Sequence, residues 1–268
     1  MFRNQVIWIT GASSGIGEAL ALQFAVAGSK IVLSARRETE LNRVLERCLE
    51  KGLTSQDILV LPLDVTDYEA MPAALDTIIR TFGRIDMLIN NAGIAQRSLC
   101  VDTDMAVYRQ LMEVDVLGQI ALTRTVLPRM IEQSSGHIAI TSSVAGKVGA
   151  PFRTGYCAAK HAVMGFFDAL RAEVSHQGIQ VTTITPGYIR TNISLNALRG
   201  DGTEFGTVDK NIAGGMDVDR CAETIMKGFL KGTAEIAVGE GKEMQALWIK
   251  RLLPGLLFKR VALMARPS

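Results

Sequence analysis

Tyr156 and Lys160 are four residues apart in Tyr156-Cys157-Ala158-Ala159-Lys160. On a helix that spacing places a phenol and an ammonium on one face, a turn apart. Such a pair can move a proton to or from an alkoxide, the step that accompanies hydride transfer to a carbonyl. A free phenol titrates near pH 10, and bringing it to pH 7 takes ~4 kcal/mol. An ammonium ~4 Å away, in an effective dielectric of ~20, supplies ~4 kcal/mol. Lys160 is therefore sufficient in size, and it could also hydrogen-bond the ribose of a bound nicotinamide nucleotide. Ser143, upstream of the pair, offers a hydroxyl to hold the substrate oxygen. The plainer alternative for Ser143 is a strand-end hydroxyl that satisfies nearby backbone.

The redox partner is read from the opening of the chain. Thr10-Gly11-Ala12-Ser13-Ser14-Gly15-Ile16-Gly17 follows a short apolar run and precedes a helical segment. Glycines let the backbone turn sharply and approach a pyrophosphate, and the N–H groups of the next helix face its charge. The spacing is GxxxGxG rather than GxGxxG, and glycine-rich strand–helix turns also occur in methyltransferases and in purely structural loops. After the second run, where an NAD site usually carries an acid for the ribose 2′-hydroxyl, the chain reads Ala35-Arg36-Arg37. An acid would repel a 2′-phosphate, whereas a guanidinium can hold one. NADP is the expected cofactor; the alternative is two solvated arginines. Asp64-Val65 could meet the adenine, and Asn90-Asn91-Ala92-Gly93 is a small-residue turn suited to close approach. Singly, each of these is equally a cap or a turn.

Seven apolar runs could carry these groups: QVIWIT, KIVLSA, DILVLP, DMLIN, HIAIT, IQVTTI and AEIAV. They are short, β-branched and lack polar alternation, as strands buried on both faces require. Between them, 18–27, 39–51, 67–82, 103–133, 154–177 and 217–231 show helical spacing. The alternation predicts an α/β fold: one doubly wound, parallel, seven-stranded Rossmann sheet with helices on both faces. No linker or repeat interrupts it, so residues 1–268 are expected to form a single domain. Residues 192–215 break the rhythm with five glycines at the carboxyl edge of the sixth run. They are expected to be a mobile substrate lid, the alternative being a plain surface excursion.

Composition narrows the function classes. Of 268 residues 48% are hydrophobic and 21% charged, and the net charge is only +2. No basic cluster in the body of the chain suits nucleic acid. Cys48, Cys100, Cys157 and Cys221 are scattered, as are His137, His161 and His176, so neither disulfides nor a metal site is expected. Strand pattern begins almost at once, without a secretory-type leader, and no apolar run is long enough to span a bilayer. The expected location is cytoplasmic.

Taken together, TGASSGIG, NNAG, Ser143, YCAAK and PGYIRT resemble the single-domain short-chain dehydrogenase/reductase family. The motifs stand in family order and spacing over essentially the whole chain. The stretches GKVGAPFRTGYCAAKHAVMGFFDALRAEV and PGYIRTNISLNA look most like the hydroxysteroid-dehydrogenase-like branch. The resemblance implies Ser143, Tyr156 and Lys160 as catalytic residues. It implies cofactor contacts from the Gly11–Gly17 loop (Gly11, Ser13, Ser14, Gly15, Ile16, Gly17), from Arg36 and Arg37, and from Asp64, Val65, Asn91, Ala92 and Gly93. Tyr156 and Lys160 would also touch the cofactor, and Pro186, Gly187, Ile189 and Thr191 would lie at the nicotinamide. One departure stands out: Asp115 occupies the place of the family's asparagine, whose backbone carbonyl helps hold a water joining the lysine to solvent. Aspartate keeps that carbonyl. Its charge near Lys160 could offset the lysine's pull on Tyr156 and shift the pH dependence.

Residues 243–268 are apolar and basic, broken by Pro254-Gly255. They could lie on a membrane surface, pack on a neighbouring subunit or close the substrate pocket. By resemblance, 103–133 and 154–177 form the interface of a homodimer or homotetramer. The expected activity is NADP(H)-dependent interconversion of a small-molecule carbonyl and alcohol, with an apolar substrate expected. The alternative is a non-catalytic NADP-binding or redox-sensing protein on the same fold. A sugar-nucleotide epimerase would favour a GxxGxxG loop and a larger C-terminal domain.

Overall fold

Each of the seven apolar runs becomes a strand. In the computed structural model, which describes residues 2–264, these are β1 (Val6–Thr10), β2 (Lys30–Ser34), β3 (Ile58–Val60), β4 (Met87–Asn90), β5 (Gly136–Thr141), β6 (Ile179–Pro186) and β7 (Glu235–Val238). They form one parallel sheet in the order β3-β2-β1-β4-β5-β6-β7. Successive residues of a strand point to opposite faces. Ile7, Ile9, Ile31 and Leu33 thus pack against α1 (Gly15–Val26), α2 (Glu38–Leu49) and α8 (Val218–Leu230). Val6, Trp8, Val32 and Leu88 pack against α3 (Ala70–Phe82), α5 (Gly118–Glu132) and α6 (Thr154–Val174). Both faces are covered, which is why the strands lack polar alternation. The one large polar handle in β1 is satisfied: the Trp8 indole N–H donates to Ser34 Oγ at 2.8 Å.

The segment 103–133, read as a single helical stretch, is divided. α4 (Met105–Met112) runs into a π-helical turn at Glu113–Leu117, and α5 continues from Gly118. A π turn holds one extra residue and rotates the helix beyond it, a device common at functional sites. Here it carries Asp115 to a position with no solvent exposure. Gly118 is needed at the exit, where a Cβ would lie 2.4 Å from the Val65 carbonyl oxygen.

Residues 192–215 contain the single turn α7 (Lys210–Ala213) and are pinned at several points. The Leu198 N–H donates to Ala95 O and Leu198 O accepts from Arg97 N, both at 2.8 Å. Ser194, Ala197, Leu198, Asp209 and Ile212 are buried. The described residues end in α9 (Glu243–Leu252) and α10 (Pro254–Met264), divided where Pro254-Gly255 was expected to break the segment. Residues 265–268, the remainder of that expected segment, lie outside the described residues.

Candidate active site

The strand order reverses between β1 and β4, the place where open α/β sheets leave a crevice at their carboxyl ends. The loops leaving these strands almost touch: a Cβ on Gly11, whose φ is +63°, would lie 2.9 Å from Ala92 Cα. Between them opens a cleft of about 1310 Å³. Every site residue read from the sequence lines it except Gly17 and Asp115. Gly17 sits beneath the loop, where a Cβ would meet Gly11 O at 2.3 Å, so it serves the packing of α1 on that loop.

At one end of the cleft the chain is built to receive an anion. Ser14 precedes α1 in extended conformation and its side chain does not cap the helix. The first-turn N–H groups therefore lack a capping acceptor and are free for a pyrophosphate. Gly15 takes φ +59°, and a Cβ on it would come within 3.2 Å of Thr191 Cγ2 from the opposite wall. Arg36 and Arg37 are exposed at the rim, just past the half-buried Ala35.

A residue missed in the sequence braces this end. Arg43, on α2, grips Glu18 through two bonds of 2.7 and 2.8 Å and donates to Ser13 O at 3.1 Å. Burial works against the Glu18 charge, but Arg43 and Arg47 outweigh it and hold the carboxyl below its usual range. The available signal was Glu18 in the first turn of α1, with arginines one turn apart on the next helix.

Other cofactor candidates have structural duties as well. Asp64 Oδ1 accepts from Thr66 N at 2.9 Å and Thr66 Oγ1 at 2.8 Å, a turn of its own. Asn91 ties three strand ends together: its Nδ2 donates to Thr10 O, and its Oδ1 accepts from Thr141 Oγ1, each at 3.1 Å. Both residues nonetheless face the cleft.

The other end holds the acid–base candidates. Tyr156 lies in the first turn of α6, with Lys160 one turn on, and both are buried against the cleft wall. Ser143 Oγ accepts from Ala145 N at 3.1 Å and makes a long, 3.5 Å contact to Pro186 O. It thus satisfies local backbone and lines the cleft at once. Lys160 Nζ donates to Thr141 O at 3.2 Å, and lies 5.7 Å from the centre of the Tyr156 ring.

The π turn brings the Asp115 carboxylate directly onto this lysine. Its Oδ2 is 3.2 Å from Lys160 Nζ, an ion pair off the axis of a hydrogen bond, while Oδ1 accepts from Ile94 N at 2.7 Å. Burial pushes the Asp115 carboxyl up, and Lys160 and the Ile94 N–H only partly counter it. Burial opposes the Lys160 charge too, yet the Asp115 carboxylate and, less strongly, Tyr156 outweigh it and raise its pKa. Asp115 therefore touches the site through its side chain.

Further lining residues were not singled out in the sequence. Glu243, opening α9, accepts from Tyr188 N at 3.1 Å and so ties the C-terminal helices to the loop after β6. The inner faces of α9 and α10 add Ala246, Ile249, Leu257 and Val261 to the wall. Arg153, just before α6, also lines the cleft. It reaches Asp209 at 3.3 Å, and Arg97 contacts the same carboxylate. Two guanidiniums on one buried acid clasp 192–215 to the base of α6 and to the loop after β4. Asp209→Asn should weaken that clasp by about 1.5–3 kcal/mol, the worth of hydrogen bonds to charged groups. The readout is limited proteolysis, with cleavage within 192–215 accelerated by at least tenfold; an unchanged rate would show that the clasp does not hold the segment.

The family model described as short chain dehydrogenase matches residues 5–201. The human protein called dehydrogenase/reductase SDR family member 7 is 44% identical over 253 residues, covering 94% of this chain and 75% of its own. A short-chain dehydrogenase/reductase from Burkholderia phymatum, solved in complex with NAD, superposes with a TM-score of 0.81 at 22% identity, over 100% of this chain and 97% of its own. The structure of ElxO with NADP bound gives a TM-score of 0.66 at 30% identity, over 70% of this chain and 75% of its own.

Proposed function

Because the chain belongs to the short-chain dehydrogenase family, we propose that it is an NADP(H)-dependent oxidoreductase acting on a carbonyl or secondary alcohol of apolar character. The observation that carries this reading is the convergence of Ser143, Tyr156 and Lys160 on one cleft with the uncapped glycine loop. A bound nicotinamide dinucleotide supplies or accepts the hydride. Ser143 holds the substrate oxygen, Tyr156 passes the proton to or from it, and Lys160 lends positive charge beneath the phenol and a donor for the ribose. Burial of Tyr156 and Lys160 keeps water from screening these interactions. Ile249, Leu257 and Val261 on the substrate side favour an apolar molecule.

The preference for the phosphorylated cofactor rests on Ala35, where no acid stands, and on two arginines at the rim. An exposed guanidinium meeting a phosphate contributes ~1.5–3 kcal/mol. Arg36→Gln combined with Arg37→Gln should thus raise the Kd for NADPH by at least tenfold and leave that for NADH nearly unchanged. Nicotinamide fluorescence titration reads both without a substrate. Equal weakening of the two would overturn the preference.

The experiment for the activity is an NADPH-consumption screen over aldehydes, ketones, diketones and steroids. Turnover that Tyr156→Phe retains would overturn the reading. The Asp115 side chain on Lys160 is the one observation favouring a non-catalytic NADP-binding protein, and substrate-dependent turnover by the unaltered chain would remove it. We further propose a homodimer or homotetramer through α4, α5 and α6, in keeping with exposed Met105, Leu117 and Ile131.

A further inference from the structure

The C-terminal helices have two unlike faces. Inward, Leu257 is 5% exposed and packs with Val148 and with Val144, the residue after Ser143; Met244, Ala246, Leu247, Ile249 and Val261 pack against the same cluster. Outward, Trp248 is 69% exposed, Leu252 70%, Leu253 58%, Phe258 58% and Leu263 59%. Large apolar side chains left exposed on two adjoining helices of a folded protein mark a place where something else sits.

The charges beside it say what that is. Lys250, Arg251, Lys259 and Arg260 are interleaved in sequence with the apolar residues, and Arg260 also lines the cleft. The only acid of α9 and α10, Glu243, is turned inward onto the Tyr188 N–H. Lys250 Nζ lies 4.4 Å over the Phe258 ring, so a cation and an aromatic share one edge of the surface. Four cations against one engaged acid give this short stretch a net charge of +3, more than the whole chain's +2. No helix among the described residues is long and apolar enough to cross a bilayer. Helices that present exposed Trp, Phe and Leu beside Lys and Arg lie in the plane of the interface, with cations among anionic headgroups.

We propose that α9 and α10 form a docking element for an anionic lipid bilayer, seated through Trp248, Leu252, Leu253 and Phe258. The docking stands on this surface alone. Its consequence for substrate rests on the oxidoreductase reading: the same two helices wall the cleft, so its mouth lies beside the lipid, and an apolar substrate dissolved there need not cross water.

The test uses the full chain with phosphatidylcholine vesicles, with and without phosphatidylserine. Trp8 has no exposure and Trp248 is open to solvent, so any change in tryptophan emission reports position 248. Phosphatidylserine vesicles should shift the emission to the blue, and brominated acyl chains should quench it. Each Lys or Arg near an anionic surface contributes about fivefold in partitioning. Arg251→Gln with Lys259→Gln should therefore weaken sedimentation with these vesicles more than tenfold, and Leu252→Ser with Phe258→Ser should abolish quenching. These positions are exposed, so folding is not at stake. Unquenched emission, equal partition onto uncharged vesicles, or indifference to both pairs would overturn the proposal. So would a concentration-dependent dimer that shields Trp248 and persists with vesicles, since the face would then belong to a second copy. None of these readouts needs turnover, so failure here is distinguishable from failure of the oxidoreductase reading.

Discussion

Tyr156→Phe is expected to lower kcat by about 10²–10⁴-fold, the usual worth of a positioned proton donor, with NADPH affinity changed far less. The substitution removes one oxygen and leaves the ring. That ring is 8% exposed and packs with Ala95, Ala145, Cys157 and Ala197, so the wall of the cleft should keep its shape. The cradle for the pyrophosphate lies on α1 and the loop before it, at the other end of the cleft, and is untouched. Steady-state kinetics on a substrate found by the screen, with fluorescence titration of NADPH alongside, would separate the two effects. A kcat within a few-fold of the unaltered chain would show that the proton comes from elsewhere.

The second large effect is expected at Lys160. Lys160→Met would leave the Asp115 carboxyl, which has no solvent exposure, facing an apolar side chain. Removing one partner of a buried ion pair typically costs about 3–5 kcal/mol, a Tm fall of roughly 6–20 °C for a chain near this size. The double variant Lys160→Met with Asp115→Leu should recover most of that stability, because no buried charge is left unpaired. It should recover no turnover. Thermal unfolding and kinetics measured together therefore distinguish a structural ion pair from one that also serves catalysis. Full stability in the single variant would show that the carboxyl is not charged beside the lysine.

The sign of the pH dependence comes from the same pair. The folded pKa of Lys160 lies above its ordinary 10.5. Its contribution to stability is thus complete below that value and is lost as pH rises through the folded one. Asp115 is also raised, from 3.8, so its protonated form is favoured; its contribution is present below 3.8 and is lost as pH rises through the folded value. Charging this carboxyl within the fold is thus a cost, which Lys160 offsets only in part. Asp115→Asn takes away the charge that holds Lys160 protonated, so activity should fall on the alkaline side at a lower pH than in the unaltered chain. Superimposable pH–rate curves would show that the carboxylate has no part in setting the lysine's charge.

Much of this molecule was legible in its residues alone. Strands buried on both faces must be apolar throughout, and a glycine that turns close to a neighbouring backbone tolerates no side chain, so both leave marks at single positions. The seven strands, their alternation with helices, the loop at Gly11 and the Tyr156–Lys160 spacing were all local in this sense. Glu18, Arg43, Asp209 and Glu243 were not. Each acts on a residue far along the chain, and a charged residue that will be buried against a distant partner reads the same as one left in water.

Asp115 shows the division most plainly. Its identity was visible, and so was its nearness to the lysine's neighbourhood. Whether its carboxyl would face solvent or Lys160 depended on one extra residue in a helical turn, which the periodicity of 103–133 averages away. The C-terminal helices divide in the same manner: the residue pattern marked them as apolar and basic, but only packing could sort Leu257 and Val261 inward to the cleft and Trp248 and Phe258 outward. Local backbone preference and burial period are properties of neighbouring residues. The partner a side chain meets across the fold is a property of three dimensions.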